Sequence, residues 1–267
     1  MILNFIVWNV SPEIFPNTSI PVRWYGLFFV IAFYLGYIIL SRMFKKEGVD
    51  LKLLDTLTMY MLISTIVGAR LGHCLFYEPD DYLKNPIEIL YIWQGGLASH
   101  GAAITIIIAL ILFVRKYKEI KFLWLIDRIV IVVALAGFWI RMGNLMNSEI
   151  IGKPTELPWG FIFKRLELLG KIGPHHPSQL YEAISYLIIF AALMWYYLKQ
   201  KRQPQQGVIF SIFLISLFLV RFLIEFLKET QVDFENNMLL NMGQLLSIPF
   251  ILGGIVMLVI VVRQKKT

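Results

Sequence analysis

Apolar residues along this chain gather into seven long runs, separated by polar stretches in which Lys and Arg recur. The runs are Val22–Leu40, about Leu54–Phe76, Leu97–Val114, about Phe122–Ile140, about Gln179–Leu198, about Gly207–Leu227 and about Leu239–Val262. Each is close to the roughly 20 residues a helix needs to cross a hydrocarbon layer about 30 Å thick. The period-two alternation of a transmembrane barrel strand does not occur. The pattern predicts an all-α fold: a polytopic membrane protein of seven transmembrane helices. Pro249 and Gly253-Gly254 interrupt the last run. One connection stands out, from Arg141 to Pro177, with four prolines, His175-His176 and no spanning run. A connection of that length is uncommon unless it has a task. The expected organisation is one integral-membrane domain over residues 1–267 with an elaborated outer-face loop region at about 141–177, and no internal repeat.

Composition agrees: 58% of residues are hydrophobic and only 16% charged, against roughly 25% charged in soluble domains. The net charge of +7 reads as topology rather than nucleic-acid binding, because the basic residues lie between the apolar runs. Fourteen follow runs one, three, five and seven: Arg42, Lys45, Lys46, Lys52, Arg115, Lys116, Lys118, Lys121, Lys199, Lys201, Arg202, Arg263, Lys265 and Lys266. Seven lie on the other side: Arg23, Lys84, Lys153, Lys164, Arg165, Lys171 and Lys228. The positive-inside rule then predicts an outer N-terminus and a cytoplasmic C-terminus. Residue 1 reads as mature, since no basic start and cleavage site precede the first run. Cys74 is the single cysteine, which excludes an internal disulfide and a multi-cysteine metal site. It reads as a small buried apolar residue.

Candidate chemistry begins at Phe138–Gly152, where Arg141, Asn144, Asn147 and Glu149 fall within nine residues at the end of an apolar run. Polar groups at a membrane boundary are expensive and usually functional, although an arginine can also snorkel and amides can cap a helix. The predicted topology sends Tyr25, Arg70, His73, His100, Gln179, Tyr181, Glu182, Arg221, Glu225 and Gln244 to similar depth. Arg128, near the inner start of run four, reads as snorkelling or structural. Several outward arginines suit a phospholipid phosphate, because a guanidinium stays charged and donates in pairs. Alternatively Arg221 and Glu225, at i and i+4, neutralise each other. His100, set between Gly95-Gly96 and Gly101, has room for a ligand and can take a proton near neutral pH; it can equally be a structural histidine. The four histidines match no zinc spacing.

Seven segments, in order, resemble the prolipoprotein diacylglyceryl transferase family. They are Val22-Arg23-Trp24-Tyr25-Gly26, Gly68-Ala69-Arg70-Leu71-Gly72, Gly95-Gly96 with His100-Gly101, and Arg141-Met142-Gly143-Asn144 through Asn147-Ser148-Glu149 to Gly152. They continue with His176-Pro177-Ser178-Gln179-Leu180-Tyr181-Glu182, Arg221 with Glu225-Phe226, and Met242-Gly243-Gln244-Leu245-Leu246-Ser247. The resemblance implies transfer of the diacylglyceryl group of phosphatidylglycerol to the lipobox cysteine thiol of a preprolipoprotein signal peptide, with release of glycerol 1-phosphate. It implies no metal or organic cofactor, and a place in the bacterial plasma (inner) membrane with the site facing outward. By matching positions, His100 is the candidate base, and Arg141 and Arg221 hold the phosphate. Tyr25, Asn144, Asn147, Glu149, Gly152 and Glu225 would shape the donor headgroup pocket. Two positions depart from the family pattern: Ile140 stands where glycine is common, and Leu217 where tyrosine is common. Either the role of that hydroxyl is dispensable here, or another group such as Tyr25 or Tyr181 reaches the site. The competing readings are a transporter or flippase for an anionic solute or phospholipid, and a seven-span scaffold with Arg141 as a structural anchor.

Overall fold

A computed structural model of the chain describes residues 5–16, 22–91, 96, 98–201, 204–230, 235 and 238–264. Pro21, the Trp93-Gln94-Gly95 approach to run three, Leu97, Arg202, Lys265 and Lys266 lie outside the described residues. Seven helices are long and apolar enough to cross a membrane. They are α1 (Trp24–Lys46), α2 (Leu51–Phe76), α4 (Ser99–Lys116), α5 (Phe122–Asn147), α7 (Ser178–Lys199), α8 (Val208–Glu225) and α9 (Met242–Gln264). Two short helices, α3 (Pro79–Lys84) and α6 (Lys164–Glu167), and a 3₁₀ turn at Pro86–Leu90 complete the helical elements. Two three-residue strands, β1 (Ile6–Trp8) and β2 (Phe161–Phe163), pair in parallel. The helical, seven-span prediction holds; the strands and short helices are additions that no long apolar run announces.

Two helices differ informatively from their predicted runs. The fourth run was expected to end at Ile140, yet α5 continues helically to Asn147. Its last two turns interleave Arg141, Asn144 and Asn147 with apolar residues, and hydropathy alone stops counting where side-chain partners begin to sustain the helix. The seventh helix is not interrupted: Pro249 lies inside α9. Loss of one backbone bond at a proline is tolerated in spanning helices.

The chain divides into two compact units, residues 41–125 and residues 1–40 with 126–267. In the first, α2 and α4 form the main packed pair. A Cβ on Gly72 would lie 2.7 Å from the Gly101 Cα, and one on Gly101 would lie 2.2 Å from the Gly68 carbonyl oxygen. These glycines let the two backbones touch, the mode of packing available where no hydrophobic effect drives helices together.

In the second unit α8 packs on α9 and α7 on α8. At one end of this unit Asp127 of α5 is fully buried and accepts from the backbone N–H groups of Gly207 (2.7 Å) and Phe210 (2.8 Å). It caps α8 from 80 residues away in sequence, satisfying donors that the helix cannot pair itself. Its neighbour Arg128 is also buried, with its guanidinium 5.8 Å from the Tyr197 ring centre. Arg128 is therefore structural and does not snorkel.

At the other end, residues 148–177 fold over the ends of α5, α7 and α8. Leu145, Ile151, Phe161 and Phe163 form a small apolar core, with Trp8, Met142, Leu166 and Leu180 packed against it. The Trp8 indole N–H donates to the Leu145 carbonyl at 3.1 Å. The β1–β2 pair thereby ties the N-terminal segment to this region.

Candidate functional site

The C-terminal end of α5 sets up the site. Three residues apart on one helix face, Arg141 and Asn144 meet: the Arg141 Nη1 donates to the Asn144 Oδ1 at 3.0 Å. Asn144 passes the link on, its Nδ2 donating to Glu149 Oε2 at 3.1 Å, while the Asn147 Nδ2 donates to Glu149 Oε1 at 2.9 Å. Glu149 reaches back because the chain reverses immediately after α5. Ser148 and Ile150 both hold left-handed backbone, with φ of 57° and 56°. For β-branched Ile150 this is an outlier that surrounding structure must enforce. The first turn of α7 does so: Gln179 Nε2 donates to the Glu149 carbonyl, and Ser178 Oγ to that of Ile150 at 2.6 Å. Both side chains are fully buried.

Glu182, one turn further along α7, has 0% exposure and joins two cations. Its Oε2 lies 2.7 Å from the Arg141 Nε, and its Oε1 lies 3.0 Å from the Lys228 Nζ. Lys228, 3% exposed, also donates to Glu225 Oε2 at 3.0 Å. The Tyr186 hydroxyl donates to Glu182 at 3.4 Å, within electrostatic reach of both Arg141 and Arg221. Tyr25 of α1 lies within reach of Glu149 and Arg141, and packs where a Cβ on Gly143 would come within 2.7 Å of its ring. The cluster thus holds three cations, Arg141, Arg221 and Lys228, and three carboxylates, Glu149, Glu182 and Glu225; Lys228, Glu182 and Glu225 are buried, Arg141 and Arg221 partly buried, and Glu149 is exposed at its rim.

One of the two alternatives for Arg221 is excluded here. Arg221 and Glu225 do not pair: Glu225 turns to Lys228, and the Arg221 Nε is buried with no hydrogen-bond partner among the described residues. Glycine at position 243 makes the turn possible, since a Cβ there would sit 2.5 Å from the Glu225 carboxyl carbon. An N–H removed from water and left unbonded costs on the order of 1–3 kcal/mol, more in a charged group. Such an orphan donor marks a position for an acceptor.

Gly152 acts at one remove from the cluster. Its N–H donates to the His176 carbonyl (2.8 Å), and the next residue's N–H to the Leu227 carbonyl (2.8 Å). A Cβ at 152 would be 2.5 Å from that of His176 and 2.7 Å from the Leu227 oxygen. The backbone slots between the start of α7 and the end of α8, and holds Lys228 inward. Gln244 is accounted for by helix capping: it exchanges bonds with Asn241, each side-chain oxygen accepting from the other's N–H at 3.0–3.1 Å. This is the reciprocal box that closes a helix N-terminus, here of α9.

Of the residues expected at one depth, the second unit brings together Tyr25, Arg141, Asn144, Asn147, Glu149, Gln179, Glu182, Arg221 and Glu225. Tyr181 stands apart, accepting from the Trp159 indole at 2.9 Å and facing His176 Nδ1 at 3.1 Å. Burial lowers the His176 pKa from its usual value. Lys228 and Tyr186 were not expected at the site, and Glu182 was expected at this depth but given no role. Lys228 reads as a loop lysine, and only its spacing of three from Glu225 hinted at more.

The first unit holds Arg70, His73 and His100. Arg70 is 2% exposed and consumed by the chain: its Nη2 donates to the Glu88 carbonyl (2.6 Å), Nε to that of Ile89 (2.9 Å) and Nη1 to that of Gly96 (3.4 Å). Its guanidinium also sits 4.9 Å from the Tyr82 ring centre. Arg70 ties Tyr82, Glu88, Ile89 and Gly96 together and is a structural residue. His73 Nε2 lies 3.5 Å from the Glu78 carboxylate. His100 is exposed at the start of α4, its ring 5.4 Å from Phe76 and 5.7 Å from Tyr77 between centres. No carboxylate among the described residues bonds to it. Among the described residues no group of three metal-ligating side chains gathers.

Fold and cluster together define a class: a multi-pass membrane protein whose spanning helices carry a largely buried cluster of matched charges at one end. The family model for prolipoprotein diacylglyceryl transferase matches residues 12–260. A protein of Tolumonas auensis named phosphatidylglycerol–prolipoprotein diacylglyceryl transferase is 46% identical over 260 residues, covering 97% of this chain and 99% of its own. Proteins of the same name from Porphyromonas gingivalis and Chloroherpeton thalassium are 44% and 43% identical, each over 98% of this chain and 97% of theirs. The chain belongs to the prolipoprotein diacylglyceryl transferase family. A transporter or flippase is not favoured.

Proposed function

We propose that this protein transfers the diacylglyceryl group of phosphatidylglycerol to the lipobox cysteine thiol of preprolipoproteins. The observation that carries this reading is the buried, unbonded Arg221 Nε beside a cluster anchored by Arg141. The sulfur attacks the glyceryl carbon that bears the phosphate. A carbon–sulfur bond forms, the carbon–oxygen bond breaks, and its electron pair leaves on glycerol 1-phosphate. The phosphate gains charge as the bond breaks, so cations already in place stabilise that stage more than the ground state. Arg141 and Arg221 would hold the phosphate. Glu182 and Lys228 keep Arg141 oriented before the lipid arrives. Tyr25, Asn144, Asn147 and Glu149 would meet the polyol of the headgroup, Gly152 would set the fold of that wall, and Glu225 would set the position of Lys228.

The free thiol, with a pKa of about 8.5, needs its proton removed. That role carries over to His100 from the family resemblance. His100→Gln should slow transfer most at neutral pH, and less as rising pH ionises the thiol unaided; an unchanged rate at neutral pH removes His100 as base. In this reading the N-terminus lies outside and the C-terminus in the cytoplasm of the bacterial inner membrane, with the 148–177 region and the site on the outer side and the chain working as a single membrane domain. The deciding experiment incubates purified protein with phosphatidylglycerol and a lipobox peptide in defined phospholipid. A thioether-linked diacylglyceryl peptide and an equivalent of glycerol 1-phosphate are expected; their absence from folded protein overturns the assignment.

A further inference from the structure

The 148–177 region carries a feature that the cluster does not use. Residues 164–173, Lys-Arg-Leu-Glu-Leu-Leu-Gly-Lys-Ile-Gly, form one helical turn, α6, closed by a tight reversal. The reversal is made by the N–H groups of Leu169 and Lys171 donating to the Leu166 carbonyl (2.9 and 3.1 Å). Leu166 packs inward on the apolar core, whereas Leu168, Leu169 and Ile172 are 94%, 75% and 77% exposed. Glycines 170 and 173, both left-handed at φ of 82° and 90°, have no atom within 4 Å of a Cβ built on them. The tip therefore stands clear of the rest of its unit. Three large aliphatic side chains presented on a free turn are a patch that wants a partner.

Its anchors and its charge identify that partner. At the base, the Arg165 Nη1 donates to the carbonyl of Asn147, the last residue of α5, at 3.3 Å. Lys171 is ion-paired to Glu229, four residues beyond the end of α8. Both anchors are at ends of spanning helices, hence at the level of a membrane surface. Lys164, Arg165 and Lys171 stand around the tip; Lys164 pairs with Glu167 at 3.0 Å and Lys171 with Glu229, so even with both carboxylates counted the turn keeps a net positive charge, carried by Arg165. Exposed apolar side chains ringed by cations match the way a peripheral segment enters an anionic lipid interface. We propose that residues 164–173 form a membrane-dipping tip, with Leu168, Leu169 and Ile172 in the acyl boundary of the adjacent leaflet and the basic residues among anionic headgroups. The inference rests on the membrane reading of the helices and not on the transferase assignment.

The test places a fluorophore at the tip. Cys74, the one native cysteine, is fully buried, so an environment-sensitive maleimide dye will label an introduced Leu169→Cys. The labelled protein goes into nanodiscs of phosphatidylcholine with about a third phosphatidylglycerol, with and without bromine low on the acyl chains. A blue-shifted emission and at least twofold quenching by the brominated lipid are expected, with no quenching at an exposed control, Glu156→Cys. Removing the anionic lipid should weaken the quenching by about half. Emission that matches the control and ignores bromine overturns the proposal. So does quenching indifferent to anionic lipid, or a blue shift that requires added lipobox peptide. None of these readouts uses transfer activity, so they stand whether or not the transferase assay succeeds.

Discussion

Arg70 and Arg141 occupy matching places, each six residues from the end of a 26-residue spanning helix with a glycine two residues away. Their surroundings are opposite. Arg70 spends its donors on three backbone carbonyls and lies against a tyrosine ring. Arg141 faces a carboxylate and an amide on side chains that themselves bond onward to Lys228 and Glu149. Carbonyl acceptors are fixed by the path of the chain, so an arginine that binds them serves that path. Carboxylate and amide partners sit at the ends of side chains, which can turn to share an arginine with an incoming phosphate. Partner type therefore separates a structural arginine from one available for chemistry, where position and burial do not.

The comparison can be broken most forcefully at Glu182. Glu182→Gln leaves Arg141 and Lys228 short of a buried counter-charge, and breaking such a pair costs about 3–5 kcal/mol. Thermal unfolding in detergent should show a large drop in midpoint, partly recovered when Lys228→Met is added. A midpoint within error of the parent would mean that the network contributes nothing to stability. Next is Arg141→Lys, which keeps the charge and loses the fork. Transfer should fall on the order of 10²-fold, the effect of losing one preorganised donor, with the unfolding midpoint changing little. Near-parental turnover would exclude bidentate phosphate binding.

Arg70→Lys should invert that outcome. Freed carbonyls cost about 1–3 kcal/mol, so limited proteolysis should cut faster at residues 78–90, while turnover per folded molecule stays within about threefold. A variant that is stable but inactive would move Arg70 into the chemistry. The smallest effect concerns His176. Its pKa is lowered in the fold by burial, so the folded state binds fewer protons than the unfolded chain. That contribution is whole above the ordinary histidine value of about 6.5. It is lost as pH falls from there through the lowered folded value. The parent should therefore lose slightly more midpoint than His176→Gln on acidification from pH 7.5 to 5.5; equal losses would show that His176 is not the group responsible.

Much of this was legible in the chain. Seven apolar runs became seven helices because the thickness of hydrocarbon sets a length that sequence records directly. Arg141, Asn144 and Glu149 were visible as a costly cluster, and family motifs supplied roles for them. The end of α5 was misjudged because Met142-Gly143-Asn144 reads as boundary residues unless their partners are known. Helical spacing left open an Arg221–Glu225 pair as the alternative to a phosphate role, and it does not form because Lys228 offers Glu225 a buried partner that spacing cannot weigh. Lys228 itself went unmarked, since a lysine after a spanning run ordinarily ends in solvent.

By itself, then, the sequence determined the number of spans, the class of fold and the residue types available for chemistry, because these follow from local hydropathy and side-chain identity. Only the tertiary structure decided which charges are matched. Glu182, Lys228 and the left-handed turn at Ser148–Ile150 come from three separated stretches, brought together where Gly152 lies between the start of α7 and the end of α8. A pairing energy depends on distance and burial, and neither is a property of any one stretch of chain.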